Sequence, residues 1–179
     1  NSVETVRSGY EYIYSVTPQS QGLVTFDIPE NQFTDIALND NLASDTLEFI
    51  FDTVHPTTLL GAVSDLVTNT DPIEVSITFS EDVQNVAEEA VELLGSSVSI
   101  GALSGNESRY TLLLDPEEQG IFTVQIINGS LTSPELTDFA LNENEESNVL
   151  TFRYDTIAPT VDLNPQDFIT YDGIGTPDR

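Results

Sequence analysis

Apolar residues recur at every second position in a series of short runs: Tyr10/Tyr12/Tyr14/Val16, Val24/Phe26/Ile28, Leu47/Phe49/Phe51, Ile73/Val75/Ile77/Phe79, Tyr110/Leu112/Leu114, Phe122/Val124/Ile126 and Leu150/Phe152/Tyr154. Successive side chains of an extended chain point to opposite faces, so each run predicts a strand with one face turned inward. Clusters of Pro, Gly, Asn, Asp, Ser and Gln, such as 17–22 and 115–120, separate the runs at the spacing of an antiparallel sandwich. Only Val86–Leu94 suggests a helix, with Val86, Ala90, Val91 and Leu94 on one face. A strand beginning at Val91 fits that stretch equally well.

The same design occurs twice. Pro18 and Gly22 recur as Pro116 and Gly120, 98 residues later. Thr34-Asp35, Ala37-Leu38-Asn39 and Phe51-Asp52-Thr53 recur as Thr137-Asp138, Ala140-Leu141-Asn142 and Tyr154-Asp155-Thr156, 103 residues later. The added residues fall around Ile126–Pro134, so one loop is longer in the second copy. Repeats near 100 residues are the size of an immunoglobulin-like sandwich. The expected organisation is the C-terminal half of a unit at 1–54, a complete unit at 55–157 and the start of another at 158–179, where Ala158-Pro159-Thr160-Val161-Asp162-Leu163 echoes Pro56-Thr57-Thr58-Leu59-Leu60. The fold class expected is therefore all-β, with Ig-like antiparallel β-sandwich repeats in tandem. Ile77, Phe79, Leu112, Val124, Leu150 and Phe152 are expected in the core of a seven-strand middle unit.

Composition narrows the partners. The chain has 179 residues, 31 acidic against four basic ones, and a formal charge of −27. Every basic residue is an arginine, at 7, 109, 153 and 179. Phosphate contacts need a basic surface, so nucleic acid is excluded as a partner and an anionic membrane is disfavoured. The uncompensated carboxylates repel one another unless salt or bound cations screen them. Cysteine, methionine and tryptophan are absent, which removes disulfides, thiolate metal sites and cysteine nucleophiles. No apolar stretch approaches the length of a membrane span.

Catalysis finds no constellation here. His55, the single histidine, stands beside Pro56 in a linker, without a nucleophile elbow. The pairs Glu88-Glu89, Glu117-Glu118 and Glu145-Glu146 are sequence neighbours rather than carboxylates facing a cleft. Two sequons, Asn106-Glu107-Ser108 and Asn128-Gly129-Ser130, make Asn106 and Asn128 candidate glycosylation sites for a eukaryotic chain.

The junctions Phe51-Asp52-Thr53-Val54-His55-Pro56 and Tyr154-Asp155-Thr156-Ile157-Ala158-Pro159, together with Ile77-Thr78-Phe79-Ser80-Glu81-Asp82-Val83, resemble the bacterial Ig-like repeats of large surface adhesins. The Asp/Asn loop of that family is matched by Thr137–Asn144, with Leu141 in place of the usual Gly. The resemblance implies a non-catalytic extracellular rod on the cell surface, with Ca²⁺ stiffening the domain junctions. It implies as ligands Asp52 and Asp155 in the linkers, Glu81 and Asp82 at the strand end, and Asp35, Asn39, Asp138 and Asn142 in the late loop. Calcium is expected to tie late-loop oxygens to the linker around Asp155. Hard oxygen donors of this kind suit calcium, but Asp before Thr-x-x-Pro and Asn/Asp clusters are also good turn formers.

The leading functional expectation is a structural segment of a surface fibre or adhesin stalk. Its partners would be neighbouring repeats or copies of itself, assembled head to tail. A module that binds a cell-surface glycan or receptor protein through its loops, and an accessory domain of a larger secreted enzyme, are the alternatives. Half a sandwich at 1–54 is expected to leave the faces Val24/Phe26/Ile28 and Leu47/Phe49/Phe51 open, and Val161 and Leu163 of another copy are candidates to cover them.

Overall fold

A computed structural model describes residues 2–8 and 11–162 and is all-β. The first region holds two hairpins. β1 (Ser2–Ser8) pairs with β2 (Glu11–Thr17), and β3 (Gly22–Phe26) pairs with β4 (Leu47–Phe51), both antiparallel. The second region adds β5 (Thr58–Ala62), β6 (Val67–Thr68), β7 (Ile73–Phe79), β8 (Val83–Gln84), β9 (Val91–Gly95), β10 (Val98–Asn106), β11 (Arg109–Pro116), β12 (Gly120–Ile126), β13 (Thr137–Asp138) and β14 (Leu150–Tyr154). These form one four-stranded sheet in the order β10-β11-β7-β5 and another in the order β6-β14-β12-β9, with β8 and β13 as a separate short pair.

The alternating runs become strands because alternation lets both sheets bury one face in common. Ile73, Val75, Ile77, Phe79, Leu112 and Leu114 from the first sheet join Phe122, Val124, Ile126 and Phe152 from the second in a single buried cluster. The rings of Phe122 and Phe152 stack within it at 5.6 Å. Each fully buried side chain of this size contributes roughly 1.5–3 kcal/mol. Leu150, expected in the core, is only partly buried against it.

Three features depart from the expected seven-strand antiparallel unit. Among the described residues the second region has ten strands, three of them only two residues long. β6 runs parallel to β14, through Arg153 opposite Val67 and Tyr154 opposite Thr68. The ambiguous 86–94 stretch resolves into a single 3-10 turn at Glu88–Ala90 followed by β9 from Val91. One turn suffices because Ala90 alone of that turn is buried, and Val91 onward pairs with β12.

The first and second regions make the same hydrogen bonds at matching positions. Ser44 Oγ accepts the Ile28 N–H as Ser147 Oγ accepts that of Ile126. Asn41 Nδ2 donates to the carbonyls of Pro29 and Leu42, as Asn144 Nδ2 donates to those of Ile127 and Glu145. The strand registers also agree, with Val24 opposite Phe49 and Phe122 opposite Phe152. Burial does not agree. Phe49 is 36% exposed where Phe152 is 0%, and Leu47 is exposed as well. The first region is not fully open, however. Val24 is buried, and the two hairpins meet through Tyr14 against Phe26 and Tyr12 against Phe33, at ring distances of 5.2 and 6.1 Å. Tyr10, Leu163 and the rest of 163–179, where further strand and covering contacts were expected, lie outside the described residues.

Candidate functional site

The linker between the two regions enters the second region at the edge where β5 begins and β7 ends, since Thr58 pairs with Phe79. The loop between β12 and β14 returns to that same edge and is stitched to the linker. The Asn142 side chain donates to the Asp52 carbonyl, the Glu145 N–H donates to the Pro56 carbonyl at 2.8 Å, and the Thr58 hydroxyl donates to the Glu145 carbonyl. Asn148 closes the set, accepting from the Leu60 N–H and donating to the Leu60 carbonyl. His55 belongs to this seam. Its Nδ1 lies 2.7 Å from the Glu143 carbonyl, which can only accept, so Nδ1 carries the proton.

This stitching gathers carboxylates from three separate segments. Asp52 of the linker, Glu81 after β7 and Asp138 of β13 place carboxylate oxygens within 4.8 Å of one another. They line a cavity of about 480 Å³ together with Asp82, and Ile50, Phe139 and Ala140 form its apolar wall. Asp138 is buried and held in place by its own loop. Its Oδ1 accepts the N–H groups of Ala140 and Asn142, and its Oδ2 accepts the Asn142 side-chain amide. Asp52 Oδ1 accepts the Val54 N–H, a two-residue turn that fixes the carboxylate relative to the chain. Glu81 carries the electrostatic cost. Burial first, then the negative charges of Asp52, Asp138 and Asp82, push its carboxyl above the ordinary value of 4.5.

Of the residues expected as ligands, Asp52, Glu81 and Asp138 come together, Asp82 lines the same cavity, and Asn142 braces the set through Asp138 and the linker. The other three lie elsewhere. Asp35 and Asn39 form the matching loop of the first region, where both Asn39 N–H groups, backbone and side chain, bond the Asp35 carboxylate. Those bonds, the side-chain one first, hold the exposed Asp35 carboxyl below its usual 3.8. Asp155 follows β14 at the end where Tyr154 pairs with Gly120, the opposite end of that strand from the Asp138 loop. Its partners are Arg153, at 3.7 Å, and the Ile157 N–H. The late loop thus reaches the linker that precedes its unit, at Asp52, rather than the following one at Asp155, because β14 itself separates the loop from Asp155. Sequence reasoning did not pick out His55 or Asn148 as parts of this seam. The adjacency of His55 to the Asp52 linker was the only available signal.

Leu141 adopts a left-handed backbone with φ of 69°, and Leu38 does the same at 66°. The loop keeps the geometry that a glycine there would take freely, at a cost of about 1 kcal/mol or more for a side chain in that region. The Asp138 bonds to Ala140 and Asn142 span this residue and hold it there. Of the two sequon asparagines, Asn106 is exposed at the tip of the β10–β11 hairpin, while Asn128 is half-buried beside the 3-10 turn Gly129–Leu131.

The donor set fits a hard divalent cation. Three carboxylates and no nitrogen or sulfur ligand favour calcium or magnesium over zinc, and water would complete the six to eight oxygens that calcium takes. No helix among the described residues is long and apolar enough to cross a membrane. No family model, curated protein or solved structure matches this chain.

Proposed function

We infer that this chain is a segment of an extracellular tandem-repeat rod, built from Ig-like antiparallel sandwiches, whose junctions are stiffened by a divalent cation, with calcium the best fit. The observation that carries this reading is the meeting of Asp52, Glu81 and Asp138 within 4.8 Å. One carboxylate comes from the linker and two from the unit it enters, so a cation held there ties the orientation of the linker to the body of the unit. The doubled hydrogen-bond pattern of Asn41/Asn144 and Ser44/Ser147 supports the repeat. A charge of −27 supports a role for cations, since binding relieves repulsion that Glu81 already registers. The role is mechanical. The cation holds two rigid bodies in line, and no chemistry is performed on a substrate. Asp155 stands at the corresponding position for the next junction, and Asp35 with Asn39 at that of the late loop in the first region.

Thermal melts and small-angle scattering in calcium and in EGTA test this directly. A cation that binds only the folded junction contributes about 2.7 kcal/mol at a hundredfold excess over Kd, an upward shift on the order of 10 °C for a unit of this size. Scattering should show a longer, stiffer particle in calcium. Equal midpoints and equal particle dimensions in both buffers would remove the cation from the proposal.

A further inference from the structure

Each region fastens the linker that leaves it with the same residue, a glutamine. Gln21 stands directly before β3, and Gln119 directly before β12. The Gln21 side chain makes two bonds to Thr53: its Oε1 accepts the Thr53 N–H at 3.1 Å, and its Nε2 donates to the Thr53 hydroxyl at 2.6 Å. Gln119 repeats both with Thr156, accepting its N–H at 2.8 Å and donating to its hydroxyl. The ladder explains the choice of residue. Gly22 opposite Phe51 and Gly120 opposite Tyr154 are the last pairs of their hairpins. Both glycines have positive φ, 115° and 146°, a backbone that lets the preceding chain depart from the partner strand. A glutamine side chain carries an amide acceptor and donors at its tip, so it takes the place of the peptide group that has turned away.

At the junction between the regions this clasp meets a linker that is also held from the far side. The Asp52–Thr53 peptide gives its N–H to Gln21 of the first region, and its carbonyl accepts from the Asn142 side chain of the second. The same peptide lies inside the turn that Asp52 Oδ1 closes on the Val54 N–H. Pinning that plane therefore fixes the ring from which the Asp52 carboxylate reaches Glu81 and Asp138. Gln119 and Thr156 build the same ring around Asp155 and Ile157, outside the carboxylate cluster.

We propose that Gln21 is a positioning residue: by clasping Thr53 it holds the Asp52 carboxylate beside Glu81 and Asp138, in the arrangement that a shared cation requires. This deepens the junction reading above and rests on it for the ion, whereas the clasp itself involves protein atoms alone. Gln21 and Thr53 are both exposed, so their bonds add little to stability and act through orientation. Side chains that orient a ligand without touching the metal change affinity by roughly 10–100-fold when removed.

The test is Gln21→Ala in the full chain, with Gln119→Ala as the matched control and Thr53→Ser as the conservative variant that keeps both bonds. The first readout is solvent exchange of backbone amides by NMR in EGTA. The Thr53 N–H loses its acceptor directly, and the Val54 N–H reports where the Asp52 carboxylate sits. Both should exchange about tenfold faster in Gln21→Ala, while Gln119→Ala should release Thr156 and Ile157 instead. Tyr110–Leu114 should stay protected in every variant, which shows that each is folded. The second readout is calorimetric titration with calcium. Gln21→Ala should weaken the Kd roughly tenfold, and Gln119→Ala and Thr53→Ser should keep that of the parent. A Val54 amide that exchanges in Gln21→Ala as in the parent overturns the proposal, since the carboxylate then holds its place without the clasp. So does an unchanged calcium Kd in Gln21→Ala. A parent chain that binds no calcium, with Val54 still released by Gln21→Ala, sinks the cation reading and leaves the positioning of Asp52 standing.

Discussion

Residues 11–54 and 109–157 contain nearly the same turns, registers and side-chain to backbone bonds, yet only the second set lies over a closed core. The Asn41 and Asn144 pins, the Ser44 and Ser147 acceptors and the Asp35–Asn39 and Asp138–Asn142 loops form in both. Phe49 and Phe152 differ from 36% exposed to fully buried. Turns and hairpin register are therefore written in short stretches of chain and survive without a complete core. Burial is a property of the strands that arrive from elsewhere, here β5, β7 and β9. One difference runs the other way. Asn41 Oδ1 accepts the N–H groups of Gln32 and Phe33, whereas Asn144 Oδ1 is buried with no partner among the described residues. In the longer loop the Thr132 hydroxyl has taken the Leu136 N–H that would match Phe33.

Alanine at the two phenylalanines gives the largest expected contrast. Phe152→Ala should cost about 3–5 kcal/mol in chemical denaturation, and Phe49→Ala less than about 1.5 kcal/mol, because truncation costs most where no space is left to collapse or hydrate. Equal losses would mean that Phe49 is covered in solution. Next comes the pin. Asn144→Ala should cost about 2 kcal/mol by stranding the half-buried Ile127 carbonyl and the buried Thr58 hydroxyl, with Asn41→Ala costing less at its half-buried, more open site. Urea midpoints of the two variants would decide this, and a larger loss at Asn41 would reverse the ranking.

Glu81→Gln sharpens the comparison at the junction. The raised Glu81 carboxyl stabilises the fold when protonated, an effect fully present below 4.5 and lost as pH rises through the elevated folded value. At pH 7 without calcium, Glu81→Gln should therefore raise the midpoint by about a degree or two, while most of the calcium-dependent shift disappears. A variant that keeps the full calcium shift shows that Glu81 holds no cation. Asp35 has the opposite sign. Its lowered carboxyl favours the folded loop above 3.8 and loses that effect as the pH falls through the depressed value, which an NMR titration of Asp35→Asn against the parent would register. The smallest effect is expected from Leu141→Gly. Relief of the left-handed backbone is partly offset by glycine's greater unfolded entropy, leaving a gain under about 1 kcal/mol by thermal melt. A loss would mean that the exposed Leu141 side chain makes a contact worth more than the strain.

Much of the strand layout was legible because period two survives in β2, β3, β4, β7, β11, β12 and β14. β10 was not, and its pairing shows why. The register slips between Ile100 and Ala102, so apolar positions 98 and 100 give way to Leu103 and the alternation breaks at the bulge. The bulge falls at Gly101, where a Cβ would sit 2.5 Å from the Asp115 carboxylate. Two-residue strands such as β6, β8 and β13 are too short to carry a period at all. At the site, the residue types were readable and the grouping was not. Asp138 and Asp155 are the same residue type and equally close to turn residues, and only the course of β14 between them sends one to Asp52 and the other to Arg153.

The sequence alone determined what depends on neighbours in the chain: inward faces through alternation, hairpin register through turn chemistry, the Asx turns at Asp52 and Asp155, and the net charge that makes cations relevant. Only the tertiary structure decided what depends on segments far apart. Glu81 meets Asp52 because β7 runs antiparallel to β5, and Asp138 meets both because the loop before β14 returns to the same edge. Phe152 is buried and Phe49 is not because burial needs further strands in both sheets, here β5, β7 and β9, whose presence no local pattern encodes.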